Sequence, residues 1–147
     1  MEIRERLLTG LAELLGNAGA GTWAPDGPAV ADPETGIYII RMPEEPVKII
    51  SIRTYDGEDD PKLSEMTQMV QVRTRGGKSP LEALALADEA YRALHGLERV
   101  FVCAAQPLHI VQIYRESEAD VGPDTLGRYE RTENYAVQLN SDVDRLE

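Results

Sequence analysis

The strongest local structural signal lies in the middle of the chain, between Ser79 and Gly96. Ser79, Pro80 and Glu82 stand in the order of a helix N-cap, a first-turn proline and a capping-box acid, which together satisfy or remove free backbone amides. Gly96 follows at the position where a glycine commonly ends a helix. The segment therefore predicts a well-defined helix. One face of it is expected to carry Leu81, Leu84, Asp88, Tyr91 and Leu94 or His95.

Runs of residues typical of β-strands lie on both sides of this helix, and another amphipathic helix is expected at residues 2–17. The predicted strands are residues 36–40, 47–55, 66–75, 100–105, 108–116 and 129–140. The order α-β-β-β-α-β-β-β favours an α+β fold, with a mixed, mainly antiparallel sheet and two helices packed on one face. With 147 residues, the chain is expected to form a single domain over 1–147.

Two connecting segments lack a regular pattern. Residues 19–36 are rich in Gly, Pro and Asp, and we expect an ordered but irregular excursion with Trp23 as its one large anchor. Residues 120–128, DVGPDTLGR, are expected to form a turn before the last strand.

Alternation along two strands predicts which side chains share a face. In the strand at 66–75, one face is expected to carry Gln68, Val70, Val72 and Thr74, and the wetter face Met69, Gln71, Arg73 and Arg75. In the last strand, the residues expected to share a face are Tyr129, Arg131, Tyr135, Val137 and Leu139.

The balance of charge excludes several classes of protein. Lys and Arg number 15 against 26 Asp and Glu, for a formal net charge of −11, which argues against a broad surface that binds nucleic acid phosphates. No apolar run approaches the ~18 residues needed to cross a bilayer. The single cysteine, Cys103, cannot form an intrachain disulfide and is typical of a protein made in a reducing cytosol.

The segment RTRGGKSP resembles a phosphate-binding loop, but its spacing excludes one. Such a loop requires a glycine five positions before the Gly of Gly-Lys-Ser, and Val72 occupies that position. Pro80 also removes an amide from the helix start, where an anion would bind. A glycine turn that leads into a capped helix explains the segment. Arg73, Arg75 and Lys78 then form a local basic patch suited to an acidic partner surface.

No motif identifies a catalytic centre, a metal site or a cofactor site. Residues 56–60, DGEDD, form the densest acidic cluster but lack the ligand spacing of a calcium loop. His95, His109 and Cys103 do not stand at metal-ligand spacing, and Cys103 lies in an apolar strand where a buried thiol is expected. We therefore expect no cofactor and no metal. An enzyme of unassigned chemistry remains an open alternative, because 26 acids allow many carboxylate pairs.

Four blocks of the sequence together resemble the small tail-terminator proteins of bacteriophages with long, non-contractile tails, which are often labelled minor capsid proteins. The first two blocks are GNAGAGTW, at the end of the opening helix, and GIYIIRMPEEP. The more specific two are VQVRTRGGKSPLEALALADEAYRALHGL and IVQIYRESEADVGPDTLGRYERTENYAVQL. The acidic loop after Tyr55 and the residues beyond Leu139 contain no motif of this family.

This resemblance implies a structural virion protein that caps the finished tail tube, stops tube elongation and offers a joining surface to the head and neck. It implies a hexameric ring with a channel through which genome DNA passes without specific binding, and no catalysis. The implied partners are further copies of the chain, the major tail tube protein and a head-completion protein, in the virion after assembly in the host cytoplasm. The alternative is a neighbouring head-completion or head-tail adaptor protein of the neck.

A closed ring requires two different contact patches on each subunit. The basic patch and the acidic cluster could supply opposite charges for such a contact, and residues of the last strand also match the family pattern. The candidate contact residues are therefore Arg73, Arg75 and Lys78, then Asp56, Asp59 and Asp60, and finally Arg128, Arg131 and Tyr135.

Overall fold

The structure, a computed structural model, describes residues 1–57 and 65–140. Its helices are α1 (Ile3–Asn17) and α2 (Pro80–Leu94), and its strands are β1 (Gly36–Ile39), β2 (Ile49–Gly57), β3 (Glu65–Arg75), β4 (Glu98–Val102), β5 (Leu108–Pro123) and β6 (Tyr129–Asn140). The strands form one sheet in the order β1-β2-β3-β6-β5-β4. β1 and β2 are parallel, and the other neighbouring strands are antiparallel. The predicted α+β class with a mixed, mainly antiparallel sheet is confirmed.

Both helices pack on one face of the sheet, which we call the inner face; the opposite face is the outer face. Val70 and Val72 are fully buried in the core between the inner face and the helices. The alternation predicted for β3 is confirmed, because the even-numbered residues from Gln68 to Thr74 are buried. Arg75 lies on the outer face and, unlike the other described outer-face side chains of β3, is buried.

The connection after α1 is irregular, as predicted. Gly19 takes a positive φ of 83° just beyond the helix end. Trp23 is half-buried and packs against the core, and a Cβ at Gly16 would lie 3.3 Å from the Cβ of Trp23. Thus the segment is anchored to the end of α1 by Trp23. Neither helix in the described part of the chain is long and apolar enough to cross a membrane.

The start of α2 confirms the predicted N-cap but changes the role of the capping acid. The Ser79 hydroxyl accepts a hydrogen bond from the Leu81 amide at 3.3 Å. Glu82, instead of reaching back to the Ser79 amide, accepts from the Gly77 amide at 2.8 Å. The acid therefore fixes the glycine turn as well as the helix.

The residues predicted to share one face of α2 do not, apart from Leu94, form the face that packs on the sheet. Leu81 is 69% exposed, and Asp88 is exposed as well. The cause is close approach to the sheet, since a Cβ at Gly76 would lie only 2.4 Å from the Ala83 nitrogen, and small side chains allow this packing. The buried residues of the helix are Ala83, Leu86, Ala87, Ala90 and Leu94.

The predicted turn at residues 120–128 begins too early. β5 continues to Pro123 and stays paired with β6, and the reversal is confined to a tight turn in which the Gly127 amide donates to the Asp124 carbonyl at 3.0 Å. Gly122, read as a turn residue, has a positive φ of 97° inside a β-bulge. Pairing with β6 thus extends a strand through residues that by themselves favour a turn.

Candidate assembly surface

The antiparallel pairing of β3 with β6 brings four of the predicted contact residues to one end of the sheet. Arg75 stands opposite Glu130, and Thr74 stands opposite Arg131. Arg73 and Arg128 lie within two residues of these pairs. We call this end of the sheet, where β3 leads into α2 and β5 turns into β6, the turn end.

Lys78 also lies at the turn end, between β3 and α2, whereas Asp56 and Tyr135 do not. Asp56 lies near the end of β2, inside a β-bulge between Tyr55 and Gly57. Tyr135 stands opposite Val70 in the middle of the sheet. The structure therefore places Tyr135 and Asp56 away from the turn end. Asp59 and Asp60, with the rest of the acidic cluster after Gly57, lie outside the described residues.

Arg75 is the centre of a cluster on the outer face and is not a surface cation. Its side chain is buried, and its Nε donates to the Val47 carbonyl at 2.9 Å. Its Nη2 donates to three more carbonyls, at 2.7 Å (Pro43), 3.0 Å (Glu44) and 2.8 Å (Pro46). Burial, and next the nearby Arg128, lower the pKa of Arg75. One guanidinium thus holds the loop that connects β1 to β2 across the outer face.

The other two arginines on the outer face at the turn end, Arg73 and Arg128, are neutralised by partners in their own chain. Arg73 pairs with Glu130 at 2.5 Å, and Arg128 pairs with Asp124 at 2.8 Å. Lys78 is exposed and has no ion-pair partner among residues 1–57 and 65–140. Of the three cations in the predicted basic patch, Arg75 is thus occupied by the loop, Arg73 by a carboxylate, and Lys78 is free.

A second ionic cluster lies on the inner face, where β5 and β6 extend together. Glu133 is completely buried and accepts hydrogen bonds from Arg115 at 2.8 Å and from Arg131 at 3.3 Å. Arg131 also donates to Asp120 at 2.6 Å and to Glu118 at 2.5 Å. Hence Arg131, a predicted contact residue, is engaged by three carboxylates of its own chain.

The inner-face cluster contains two groups whose titration is shifted by burial. Burial raises the pKa of Glu133, against the lowering effect of its hydrogen bond from Arg115. Burial, and next the Glu133 carboxylate, raise the pKa of Tyr135. The Tyr135 hydroxyl is buried without a hydrogen-bond partner in the structure. Tyr135 is therefore placed to support packing inside the subunit.

The end of α2 joins the same cluster. The Arg115 guanidinium lies 4.2 Å from the centroid of the Tyr91 ring, and Tyr91 stacks on His95 at 4.5 Å. The His95 Nδ1 accepts a hydrogen bond from the Arg115 amide at 3.1 Å. Tyr91, His95 and Arg115 thus link the last turn of α2 to β5.

Sequence reasoning missed Glu133, Arg115, Glu118 and Asp120 as members of one cluster. The signal is present, because charged residues recur at every second position in residues 116–120 and 131–133, a spacing that places them on one face of a strand. The bulge at Arg115/Ser117 then changes which β5 residues face inward. That bulge cannot be read from the spacing.

Nothing in the described residues points to a metal or to a reactive thiol. Within residues 1–57 and 65–140, no three His, Cys, Asp or Glu side chains come together in a way that could hold a metal ion. Cys103 is buried, as predicted. A Cβ at Gly10 would lie 2.7 Å from the Cys103 nitrogen, so α1 covers the backbone at this residue closely.

Comparison with solved structures shows where a similar fold occurs. The chain resembles a chain in a structure titled "Virion of native gene transfer agent (GTA) particle", with a TM-score of 0.56 and 10% sequence identity, over 92% of this chain and 95% of that one. At this identity the likeness describes the fold alone. The fold is therefore one that is also found in a virus-like particle.

The comparison with protein families is more specific. Residues 14–141 match the family described as "Bacteriophage tail terminator protein". The chain belongs to this family, and it is a structural protein of the tail region of a phage virion. The resemblance read from the sequence blocks is thereby confirmed. No curated protein matches the sequence.

Proposed function

We propose that the protein caps the completed tail tube as a hexameric ring, stops the addition of tube subunits and provides the surface that joins the tail to the head and neck. The observation that carries this proposal is the family match over residues 14–141. The partners are further copies of the chain, the major tail tube protein and a head-completion protein. The ring encloses a channel through which the genome DNA passes.

The charge of the chain suits passage of DNA. A formal charge of −11 on each subunit disfavours retention of a polyanion in the channel. On the outer face at the turn end, Arg73 and Arg128 are paired with carboxylates, and Arg75 is buried beneath a loop. Pairing and burial keep these three cations from binding phosphates.

The direct test is the length of tail tubes assembled from the purified tube protein. Addition of this protein to growing tubes is expected to arrest elongation and leave a ring at the tube end, both visible by electron microscopy. An equal amount of an unrelated acidic protein is the control. Tubes that keep growing with no bound ring would contradict the proposal. Binding to the portal side of isolated heads in place of tubes would instead assign the chain to the neck as an adaptor.

Ring formation should also depend on ionic strength. Subunits that each carry −11 repel one another over the ~30 Å Debye length of a buffer of about 0.01 M ionic strength, and added salt screens this repulsion. We expect the ring to form at lower protein concentration in ~0.5 M salt than in dilute buffer, as measured by light scattering with size separation. Assembly that is insensitive to salt would show that net charge does not control ring formation.

A further inference from the structure

Beyond the ends of the short terminal strands β1 and β4, the sheet has two further stretches of edge that no strand covers within the described residues. β4 pairs with β5 only over Leu108 to Gln112. Beyond Arg115, whose amide donates to the His95 Nδ1, β5 is paired among the described residues with β6 alone. On the other side of the sheet, β1 pairs with β2 from Ile49 to Ile52. β2 continues beyond this point to Gly57. We call the first stretch, Tyr114 to Val121, the β5 edge.

The β5 edge is acidic with an apolar component. Glu116, Glu118 and Asp120 are all exposed, and residues 116–123 contain no Lys or Arg. Glu118 and Asp120 also pair with Arg131 of their own subunit, whereas Glu116 forms no ion pair with any of the described residues. Val121 is 48% exposed and Tyr114 is 38% exposed. A contact surface with apolar side chains among charged ones is typical of a protein interface.

The opposite edge, which we call the β2 edge, is formed by Ile40, Arg41 and Arg53. The Ile40 amide donates to the Ile52 carbonyl at 2.8 Å, so the two arginines that follow these residues lie close together. Ile40 is 58% exposed, although it is a large aliphatic side chain. Both arginines are exposed, and among the described residues no carboxylate forms an ion pair with either. Asp56 lies further along β2, within its bulge.

We propose that neighbouring subunits of the ring meet edge to edge, with the β5 edge of one copy against the β2 edge of the next. This inference rests on the proposed ring and adds the surfaces that close it. The two edges are opposite in charge, because Arg41 and Arg53 of one subunit would face the acidic side chains of the next. Each edge also offers an exposed aliphatic residue, Ile40 or Val121. Because the edges lie on opposite sides of one sheet, each subunit uses both, which is the head-to-tail contact that a ring requires.

The bulges of β5 limit how the contact forms. Register shifts at Arg115/Ser117 and Asp120/Gly122 frame a regular stretch from Ser117 to Asp120. Bulges and charged side chains keep exposed edges from pairing with any strand that they meet. The edge contact is therefore short and selected by side chains, which suits a ring of defined size better than an open-ended sheet.

Disulfide trapping tests the contact. Arg53→Cys and Ala119→Cys are combined in one chain, and the protein is oxidised under conditions where the wild type assembles. Three strand spacings, about 14 Å, separate β2 from β5, whereas a disulfide requires Cα atoms within about 7 Å. Any bond between the two new cysteines is therefore intermolecular. We expect a ladder of covalent oligomers that ends at the hexamer on a non-reducing gel.

Three controls define the outcome. Arg53→Cys alone and Ala119→Cys alone are expected to give no species beyond a dimer. A third protein, Arg53→Cys with Asp88→Cys, places its second cysteine at an exposed position on α2 and is expected to give no ladder. A ladder from the α2 pair with none from the edge pair would overturn the proposal, and equal ladders from both would overturn it as well.

Charge reversal supplies an independent measurement. Arg53→Glu is expected to raise the protein concentration at half-assembly about fivefold, the effect of roughly one exposed ion pair at each contact. Glu116→Arg in the same chain should restore assembly, because the pair is then reversed and not removed. Arg4→Glu changes the charge of another exposed residue equally and should have little effect. Failure of the second change to rescue the first would contradict the pairing.

Failure of this inference and failure of the proposed function give different results. If wild-type protein arrests tube growth as a ring but the edge cysteines do not cross-link, then the ring closes through other surfaces. If wild-type protein neither forms a ring nor arrests tube growth, the proposed function itself is wrong. The tube-length assay on unmodified protein separates the two.

Discussion

The two ionic clusters at the turn end lie on opposite faces of β6 and bury their arginines in different ways. On the outer face, Arg75 donates to carbonyls of the loop between β1 and β2. On the inner face, Arg115 and Arg131 donate to carboxylates of β5 and β6. On the outer face the buried guanidinium is thus bonded to neutral backbone carbonyls. On the inner face the guanidinium groups are bonded to charged carboxylates.

This difference determines what each cluster does for the fold. Backbone carbonyls do not titrate, so the outer cluster fixes its loop at any ordinary pH. The inner cluster contains the buried carboxylate Glu133, whose pKa is raised by burial, so its contribution depends on pH. Four substitutions test this contrast, in order of decreasing effect.

The largest effect is expected for Arg75→Ala. Removal of a buried guanidinium leaves four carbonyls without their shared donor, and we expect the free energy of unfolding to fall by about 3 kcal/mol or more. Arg75→Lys keeps the charge but not the planar set of donors, and should recover only part of the loss. Urea denaturation measures both. A loss below about 1 kcal/mol for Arg75→Ala would mean that the loop is held by other contacts.

Arg131→Ala should have the next largest effect. Glu133 would keep only Arg115 as a charged donor, and we expect a loss of about 2 kcal/mol because a buried charge then loses part of its compensation. Arg73→Ala is the matched control on the outer face, since it removes an arginine whose side chain is 39% exposed. That loss should be within about 1 kcal/mol. Equal losses of unfolding free energy from Arg131→Ala and Arg73→Ala would indicate that burial does not make the inner-face arginine more stabilising.

Glu133→Gln should change the pH dependence of stability. A pKa raised above 4.5 in the folded state means that the folded protein holds this proton more tightly than the unfolded chain. The stabilisation from Glu133 is therefore complete below the unfolded pKa and is lost as pH rises through the folded pKa. Glutamine does not titrate, so the variant should gain stability relative to wild type as the pH rises above the unfolded carboxyl pKa of about 4.3. A constant difference in unfolding free energy would contradict this.

The smallest effect is expected for Tyr135→Phe. The hydroxyl is buried without a hydrogen-bond partner. Its removal therefore removes the cost of burying an unbonded polar group, and should leave the free energy of unfolding unchanged or raise it by up to about 1 kcal/mol. Tyr135→Ala would instead remove the ring from the core and lower stability by about 3 kcal/mol. Thermal unfolding measures both variants. A clear loss for Tyr135→Phe would show that the hydroxyl has a partner in solution.

Local signals predicted much of the secondary structure. The cap at Ser79 and the alternation in β3 depend on neighbouring residues, and both predictions are confirmed. The predicted end of β5 was wrong, because pairing with β6 overrides local preference. Which residues of α2 pack on the sheet depends on the close approach of the helix at Gly76. The interface role of the nine predicted contact residues stays a prediction, although the structure places Arg75, Arg131 and Tyr135 inside the subunit.

The sequence by itself determined the order of helices and strands, the α+β class and, through four blocks, the tail-terminator family. Only the tertiary structure decided which charges remain free. A charged side chain stays available to a partner when no group of its own chain neutralises or covers it. Groups that do so can be distant in sequence, as with Arg75 and Pro43 or Arg73 and Glu130. Within residues 1–57 and 65–140, strand register and burial, which depend on the whole sheet, occupy the arginines of the predicted patch, whereas Arg41 and Arg53 at the β2 edge form no ion pair.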